Sequence, residues 1–379
     1  MIIDSMRIAF AYDSAYPWFN GGIEKRRFLI MRALSEAGHQ VHNFTMFREG
    51  MPGEEFKYKG IHYHCVGRAV PASAMYKKGR RNIVWPLKYA ALLYFKLWSY
   101  RFDVIDADAF PFLHIPKLAF YAWATGAKFV VTWIEIWDLD YWLSYLGPLG
   151  AFGYAMEKLS MLMSDVKVSI SELTKERMVK QLGAERDDVI VFPAAISKME
   201  MERFIKKHKF KKLNKFIAVG RLVPQKRIDM AIRAVSGTDA SLTVVGSGPE
   251  KHRLMELAKD LGIEKRVRFV DRIDSEEGLM KELCEARALL MFSEREGLSV
   301  ISIESLVLGT PVIITKSSEL TKEIRRYCHT IDEKRLGASL ANLLKNRRSV
   351  LYNAKIPKSV IIREFSAERS VAIYTKLAR

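Results

Sequence analysis

Two carboxylates eight residues apart, Glu296 and Glu304, are the side chains of this chain best suited to chemistry. They lie in the stretch 289–316, LLMFSEREGLSVISIESLVLGTPVIITK. Its apolar run 289–292 reads as a buried strand. A polar turn follows, then an amphipathic segment over 298–308 that stops at Gly309. Thr310-Pro311 breaks the chain, and 312–314 begins another apolar strand. Strand, turn, helix and strand make a βαβ unit of a parallel sheet. Glu296 in the turn and Glu304 on the helix are a little over two helical turns apart, so both can address one cleft. Amides freed at the helix start, around Leu298, Ser299 and Val300, can take an anion there. Carboxylates for hydroxyls beside amides for phosphate suit a sugar nucleotide.

Cationic and glycine-rich turns occur at other strand ends. In 219–227, VGRLVPQKR, Arg221 leaves a strand end and Lys226 leaves the turn. Arginine can grip a diphosphate with two hydrogen bonds and lysine acts as a point charge. In 245–250, VGSGPE, Gly246 and Gly248 form a turn that lacks the third glycine of a dinucleotide fingerprint. Gly21-Gly22 precedes a helix over about 25–37, a place where backbone can approach a phosphate closely. His62 and His64 alternate on a strand and share a face; they read as two ordinary strand histidines, and no metal site is expected.

These residues must be held by alternating strands and helices. Strands are expected at 6–13, 41–44, 61–66, 102–106, 128–133, 166–169 and 189–192. After a basic stretch the pattern restarts, with strands at 216–220, 241–245, 267–270, 289–292 and 312–314. That is the α/β pattern of doubly wound parallel sheets. Residues 197–215 hold eight Lys or Arg against two Glu and read as a solvated basic linker. The expected organisation is a first Rossmann-like domain over 1–196, the linker 197–215, and a second Rossmann-like domain over 216–365. Ligands of such sheets bind beyond the carboxyl ends of strands.

With 379 residues, 49% hydrophobic and 27% charged, the chain is long enough for two globular cores. Three scattered cysteines fit a reducing compartment. The start reads as a strand, not a signal peptide, and no apolar run is long enough to span a membrane, so a cytoplasmic location is expected. The net charge of +18 favours an anionic partner. Residues 77–81, KKGRR, lead into an aromatic, lysine-bearing helix up to about 101. Basic and aromatic residues together suit an anionic membrane surface, which makes a peripheral position on its inner face the expected one. Residues 139–163 are apolar but interrupted by Asp140, Glu157 and Lys158, and read as helices packed on the sheet or partly on a membrane. No nucleic-acid recognition motif accompanies the basic cluster, and nucleic acid is not an expected partner.

Taken in order, these motifs resemble the retaining glycosyltransferases of family 4. The resemblance rests on Gly21-Gly22-Ile23-Glu24, on 219–226, on 245–250, on the Glu296/Glu304 pair followed by Gly309-Thr310-Pro311, and on Phe365-Ser366. It covers nearly the whole chain and implies the GT-B fold, two Rossmann-like domains facing across a cleft with a last helix, 366–379, crossing back to the first domain. It implies a hexosyltransferase that uses a nucleotide-sugar donor, a glycan or lipid-linked acceptor, and no cofactor or metal. Arg221 and Lys226 look like the diphosphate ligands, and Gly248 is expected beside them. Glu304 resembles the ribose ligand. Glu296 resembles the catalytic-centre carboxylate that meets the donor sugar's hydroxyls, and Gly297, Leu298, Ser299 and Val300 would supply amides. Gly21 and Gly22 are similar to the loop that lies against the phosphates and acceptor. Arg272 and Ile273 are expected near the base. Three departures stand out. Ile134 takes the place of a usual histidine, with the polar Glu135 next to it on the acceptor side. Ala194-Ala195 replaces Asn-Gly, and Leu298-Ser299 replaces Phe-Gly. They motivate a second reading, a degenerate GT-B protein that binds a nucleotide sugar or a partner without turnover.

Overall fold

The computed structural model describes residues 5–19, 21–69, 76–77, 80–81, 84–110, 112–273, 275–345 and 357–377. The described residues form two compact units, one within 1–195 together with 366–379, the other within 196–365. Lys78 and Gly79 of the basic cluster lie outside the described residues, as do Asn20 and the side chains of Lys77, Arg80 and Arg81.

In the first unit the strands are β1 (Arg7–Ala11), β2 (Gln40–Phe47), β3 (Glu55–Tyr58), β4 (Ile61–Arg68), a short hairpin of β5 (Tyr76–Lys77) and β6 (Arg80–Arg81), then β7 (Val104–Asp108), β8 (Lys128–Trp133), β9 (Val166–Ser169) and β10 (Val189–Val191). Eight of them form one sheet in the order β10-β9-β8-β7-β1-β2-β4-β3. Every pair is parallel except β3–β4. The sequence reading missed β3. It joins β4 through Lys59-Gly60, both at positive φ, a two-residue turn whose twist matches a hairpin. Helices cover both faces: Trp85, Tyr89, Leu118 and Met161 pack on one, and Phe28, Leu34 and Tyr374 on the other. Tyr374 comes from the final helix, Arg369–Leu377, so the chain ends inside the unit where it began.

The second unit has a six-stranded, wholly parallel sheet in the order β13-β12-β11-β14-β15-β16. Its strands are β11 (Lys215–Val219), β12 (Ser241–Val245), β13 (Val267–Val270), β14 (Leu289–Leu290), β15 (Val312–Thr315) and β16 (His329–Ile331). The expected basic linker over 197–215 is corrected here. It contains the helix Lys198–Lys207, capped by Ser197, with Met201 and Phe204 buried. Two of its eight cations are matched: Lys215 Nζ donates to Glu282 and Glu285 at 2.9 Å each, and Lys212 Nζ to Thr310 Oγ1 at 2.7 Å; the other six stay exposed. Their acceptors lie 67 to 98 residues away, beyond the reach of any local charge count.

In each sheet the order of the parallel strands reverses once. The first unit turns about β1, between β7 and β2; the second turns about β11, between β14 and β12. A crevice opens at such a point, beyond the carboxyl ends of the two strands that diverge.

Candidate functional site

The switch point of the second unit gathers most of the residues expected on the donor side. Beyond β11 and β12 the two loops stay zipped together. The Gly220 amide donates to Val245 O at 3.0 Å, the Leu222 amide to Ser247 O at 2.8 Å, and the Glu250 amide to Leu222 O at 3.0 Å. This approach leaves no room for side chains: a Cβ on Gly246 would stand 1.9 Å from Gly220 O, and one on Gly248 2.4 Å from Leu222 O. Arg221 is left exposed between these loops.

Across the switch point, the loop after β14 is fastened to the turn that carries Lys226. Pro224–Lys226 is a single 3-10 turn, and Gln225 O accepts from the Glu294 amide at 2.9 Å and from Ser293 Oγ at 3.3 Å. Lys226 Nζ forms an ion pair with Glu296, and both side chains are largely buried. The Glu296 amide donates to Glu319 Oε2 at 3.3 Å, so this loop is also held from the far side.

Glu304 sits on the helix Val300–Val307 and is buried. Gly297, Leu298 and Ser299 precede that helix. Its first turn differs from expectation: the Val300 amide donates to Leu298 O at 3.1 Å, and Ser299 Oγ pairs with Ser302 Oγ at 2.8 Å. Both bonds are local to this turn, and the first engages an amide that was expected to face an anion. Arg272 and Ile273 follow β13, whose Val270 carbonyl accepts from the Gly246 amide at 2.8 Å. Arg272 is exposed, whereas Ile273 packs against Gly278 at the start of the next helix.

The first unit treats its expected residues differently. Gly21 caps the helix Gly22–Glu36 with extended backbone. A Cβ on Gly21 would stand 2.0 Å from Glu24 Oε2, so the chain's own carboxylate folds back over this helix start. It occupies the position at which a phosphate was expected, as an acidic third residue of a helix does in a capping box. Glu135 follows β8 and is half-buried.

Sequence reasoning overlooked a buried cluster at the first unit's own switch point. Asp106 and Asp108 alternate on β7 and share a face. Arg27, from the helix after β1, lies 2.8 Å from Asp108 Oδ2 and 3.8 Å from Asp106 Oδ1. Tyr374 from the last helix donates to Asp106 Oδ2, and Thr132 Oγ1 to Oδ1 at 3.3 Å. Burial pushes the Asp108 carboxyl up to about 6 despite the arginine beside it. The available signal was two aspartates inside an otherwise apolar strand, VIDAD. Among the described residues, no group of three or more His, Cys, Asp or Glu is placed to hold a metal ion.

Residues 20–198 match the model of Glycosyltransferase Family 4, and residues 200–349 match that of Glycosyl transferases group 1. The chain belongs to glycosyltransferase family 4. Its two parallel-sheet units have the GT-B fold. Sucrose-phosphate synthase from Thermosynechococcus elongatus has a similar structure, with a TM-score of 0.78 at 16% identity over 98% of each chain. In sequence, this family 4 chain is 26% identical over 158 residues to N-acetyl-alpha-D-glucosaminyl L-malate synthase of Bacillus anthracis, 39% of this chain and 41% of that protein. It is 32% identical over 114 residues to a GDP-mannose-dependent alpha-(1-6)-phosphatidylinositol monomannoside mannosyltransferase of Mycolicibacterium smegmatis, 27% of this chain and 29% of that protein. The family 4 chain thus matches less than half the length of these curated relatives.

Proposed function

We propose that this family 4 chain is a metal-independent, retaining hexosyltransferase that moves a sugar from a nucleotide-sugar donor to a glycan or lipid-linked acceptor. The observation that carries this reading is the Lys226–Glu296 pair at the second switch point, with exposed Arg221 on the loop that carries Lys226 and buried Glu304 on the following helix. A donor diphosphate would compete for the Lys226 ammonium and release Glu296 to accept from the sugar's hydroxyls. Arg221 would add a second cation, so charge building on the departing diphosphate meets fixed positive groups without a metal. Glu304, one turn into its helix, would take the ribose hydroxyls. Retention follows from the family resemblance. The mannosyltransferase of M. smegmatis is named for a nucleotide sugar and a phosphatidylinositol-linked acceptor, which supports the same classes here. A peripheral position on the inner face of a membrane, through residues 77–81 and the helix Val84–Leu97, suits such an acceptor. No helix among the described residues is long and apolar enough to cross a membrane.

Thermal-shift screening against nucleotide sugars tests the donor site, because a ligand of the folded state raises its melting temperature. With the donor so found, Lys226→Ala and Glu304→Ala each weaken binding by about 2–3 kcal/mol, the scale of a lost charged hydrogen bond. Unchanged donor affinity in both variants refutes the assignment. Ile134 and Ala194-Ala195, which stand where the family resemblance implies a histidine and Asn-Gly, favour a second reading, a protein that binds a donor or a partner without turnover. Slow release of nucleotide from the bound donor supports the enzyme over that reading.

A further inference from the structure

In the hairpin of helices Leu139–Leu146 and Gly150–Leu162, the first buries Trp142 and the second has its polarity reversed. A surface helix normally turns its apolar stripe inward. In Gly150–Leu162 the inward row is Gly150, Gly153, Glu157, Ser160 and Met161. Three contacts lock this orientation. Trp142 lies so close that a Cβ on Gly150 would be 2.3 Å from its carbonyl oxygen and one on Gly153 2.5 Å from its ring. Trp142 Nε1 donates to Glu157 Oε2 at 2.8 Å, and the Trp137 amide to Glu157 Oε1 at 3.3 Å. The outward row is therefore Phe152, Ala155, Leu159 and Leu162, with Phe152 60% and Leu162 77% exposed. Leu149 at the hairpin tip is 68% exposed.

Two further helices cover the same face of the sheet, since Tyr89, Leu118, Trp142 and Met161 join one core. Their outward residues continue the pattern. Phe95 and Trp123 are 76% and 80% exposed, and rings run from Phe95 through Tyr94, Trp98 and Phe120 to Trp123 at centroid spacings of 5.7–6.3 Å. Val84–Leu97 and Ile115–Thr125 carry Lys88, Lys96 and Lys117 and no acid. Lys96 is engaged by Glu55, while Lys117 lies 5.9 Å from the Tyr94 ring and Lys158 5.1 Å from the Tyr154 ring.

We infer that this helical face of the first unit docks on an anionic lipid bilayer, with the 139–162 hairpin buried at the acyl boundary and the lysines at headgroup level. Apolar area, exposed aromatic rings and lysine stems are the components of an interfacial anchor. Charge selects the occupant. A second copy of a chain of net charge +18 would be repelled, whereas an anionic surface is attracted. The inference rests on the proposed function only in its purpose, to bring a lipid-linked acceptor to the enzyme.

Co-sedimentation of the full chain with vesicles tests it at low salt. Vesicles of phosphatidylcholine with phosphatidylglycerol bind the chain, and vesicles of phosphatidylcholine alone bind it far less. The double variant Phe152→Ser/Leu162→Ser binds the anionic vesicles at least about tenfold less, since each side chain loses its transfer from water. Both positions face outward, so its melting curve stays that of the parent, and Met255→Ser in the second unit leaves vesicle binding unchanged. No binding to either vesicle, or equal binding by parent and double variant, overturns the inference. So does light scattering that shows a lipid-independent dimer which the double variant abolishes; the face would then join two copies. The donor thermal shift is read without lipid and fails or succeeds separately from the vesicle assay.

Discussion

The two switch points are built from the same pair of positions and are finished in opposite ways. In each, a basic residue that follows the central strand meets a carboxylate from the other side of the reversal: Arg27 meets Asp108 of β7 about β1, and Lys226 meets Glu296 of the loop after β14 about β11. In the first unit the pair is sealed, with Asp108 fully buried and a tyrosine from the last helix closing over Asp106. In the second, backbone packs on backbone through Gly246 and Gly248, and the pair is less enclosed: Lys226 and Glu296 are 21% and 11% exposed against 4% and 0% for Arg27 and Asp108, and Arg221 is exposed. A sealed pair holds a fold, because removing one partner strands a buried charge. A pair that solvent still reaches can exchange its partner for a ligand. The comparison therefore supports the proposal of donor chemistry at the second switch point, with structural work at the first.

Arg27→Met should produce the largest effect. It leaves Asp108 without its cation and costs on the order of 3–5 kcal/mol in urea unfolding at neutral pH. Adding Asp108→Asn to Arg27→Met should recover much of this, because the stranded charge is then gone. A loss below about 1 kcal/mol for Arg27→Met would place that pair with ordinary surface pairs and break the contrast. Gly246→Ala should come next. Its Cβ would meet Gly220 O, so the zipped loops must part at a cost of roughly 1–3 kcal/mol. The same urea titration measures it, and an unchanged midpoint would show that these loops separate freely.

Legibility in the sequence followed the same division. Arg221, Lys226, Gly248 and Glu296 stand in short motifs at strand ends, where turn chemistry marks them, and Glu304 lies on the next helix at a fixed spacing from Glu296. The Arg27 cluster is assembled from distant positions: Tyr374 reaches Asp106 across 268 residues. Arg27, in a helix rich in basic residues, carries no local sign that it is buried. The alternation of strands and helices was plain, because period and turn residues are local. The strand Glu55–Tyr58 was missed because its four residues are polar enough to pass for a loop. The basic stretch 197–215 was misread because charge counting ignores partners that are remote in sequence, here Glu282, Glu285 and Thr310. Glu24 was read as part of a glycine motif, and only the structure shows its carboxylate turned back over Gly21.

The sealed character of the first unit has a signature in pH, and two of its buried groups carry opposite signs. His42 on β2 lies with its Nδ1 2.9 Å from His64 Nε2, and its ring stacks on those of His62 and His64. Burial, with His64 beside it, pushes its pKa down to about 3. In the unfolded chain it takes a proton below about pH 6.5, so the unfolded state binds more protons and stability falls as pH falls. Asp108, raised to about 6, does the reverse. An unfolded aspartate protonates only near pH 3.9, so between about pH 6 and 4 the folded state binds more protons and stability rises as pH falls. Each slope is at most about 1.4 kcal/mol per pH unit, and in the parent they oppose each other across that window. His39, His62, His64 and His329 are pushed down by burial as well, so urea midpoints of the parent should fall from pH 7 to 4. They should fall more steeply for Asp108→Asn, which removes the opposing term, and less steeply for His42→Gln. Parallel profiles in all three proteins would mean that neither group is held away from water in the way its burial implies.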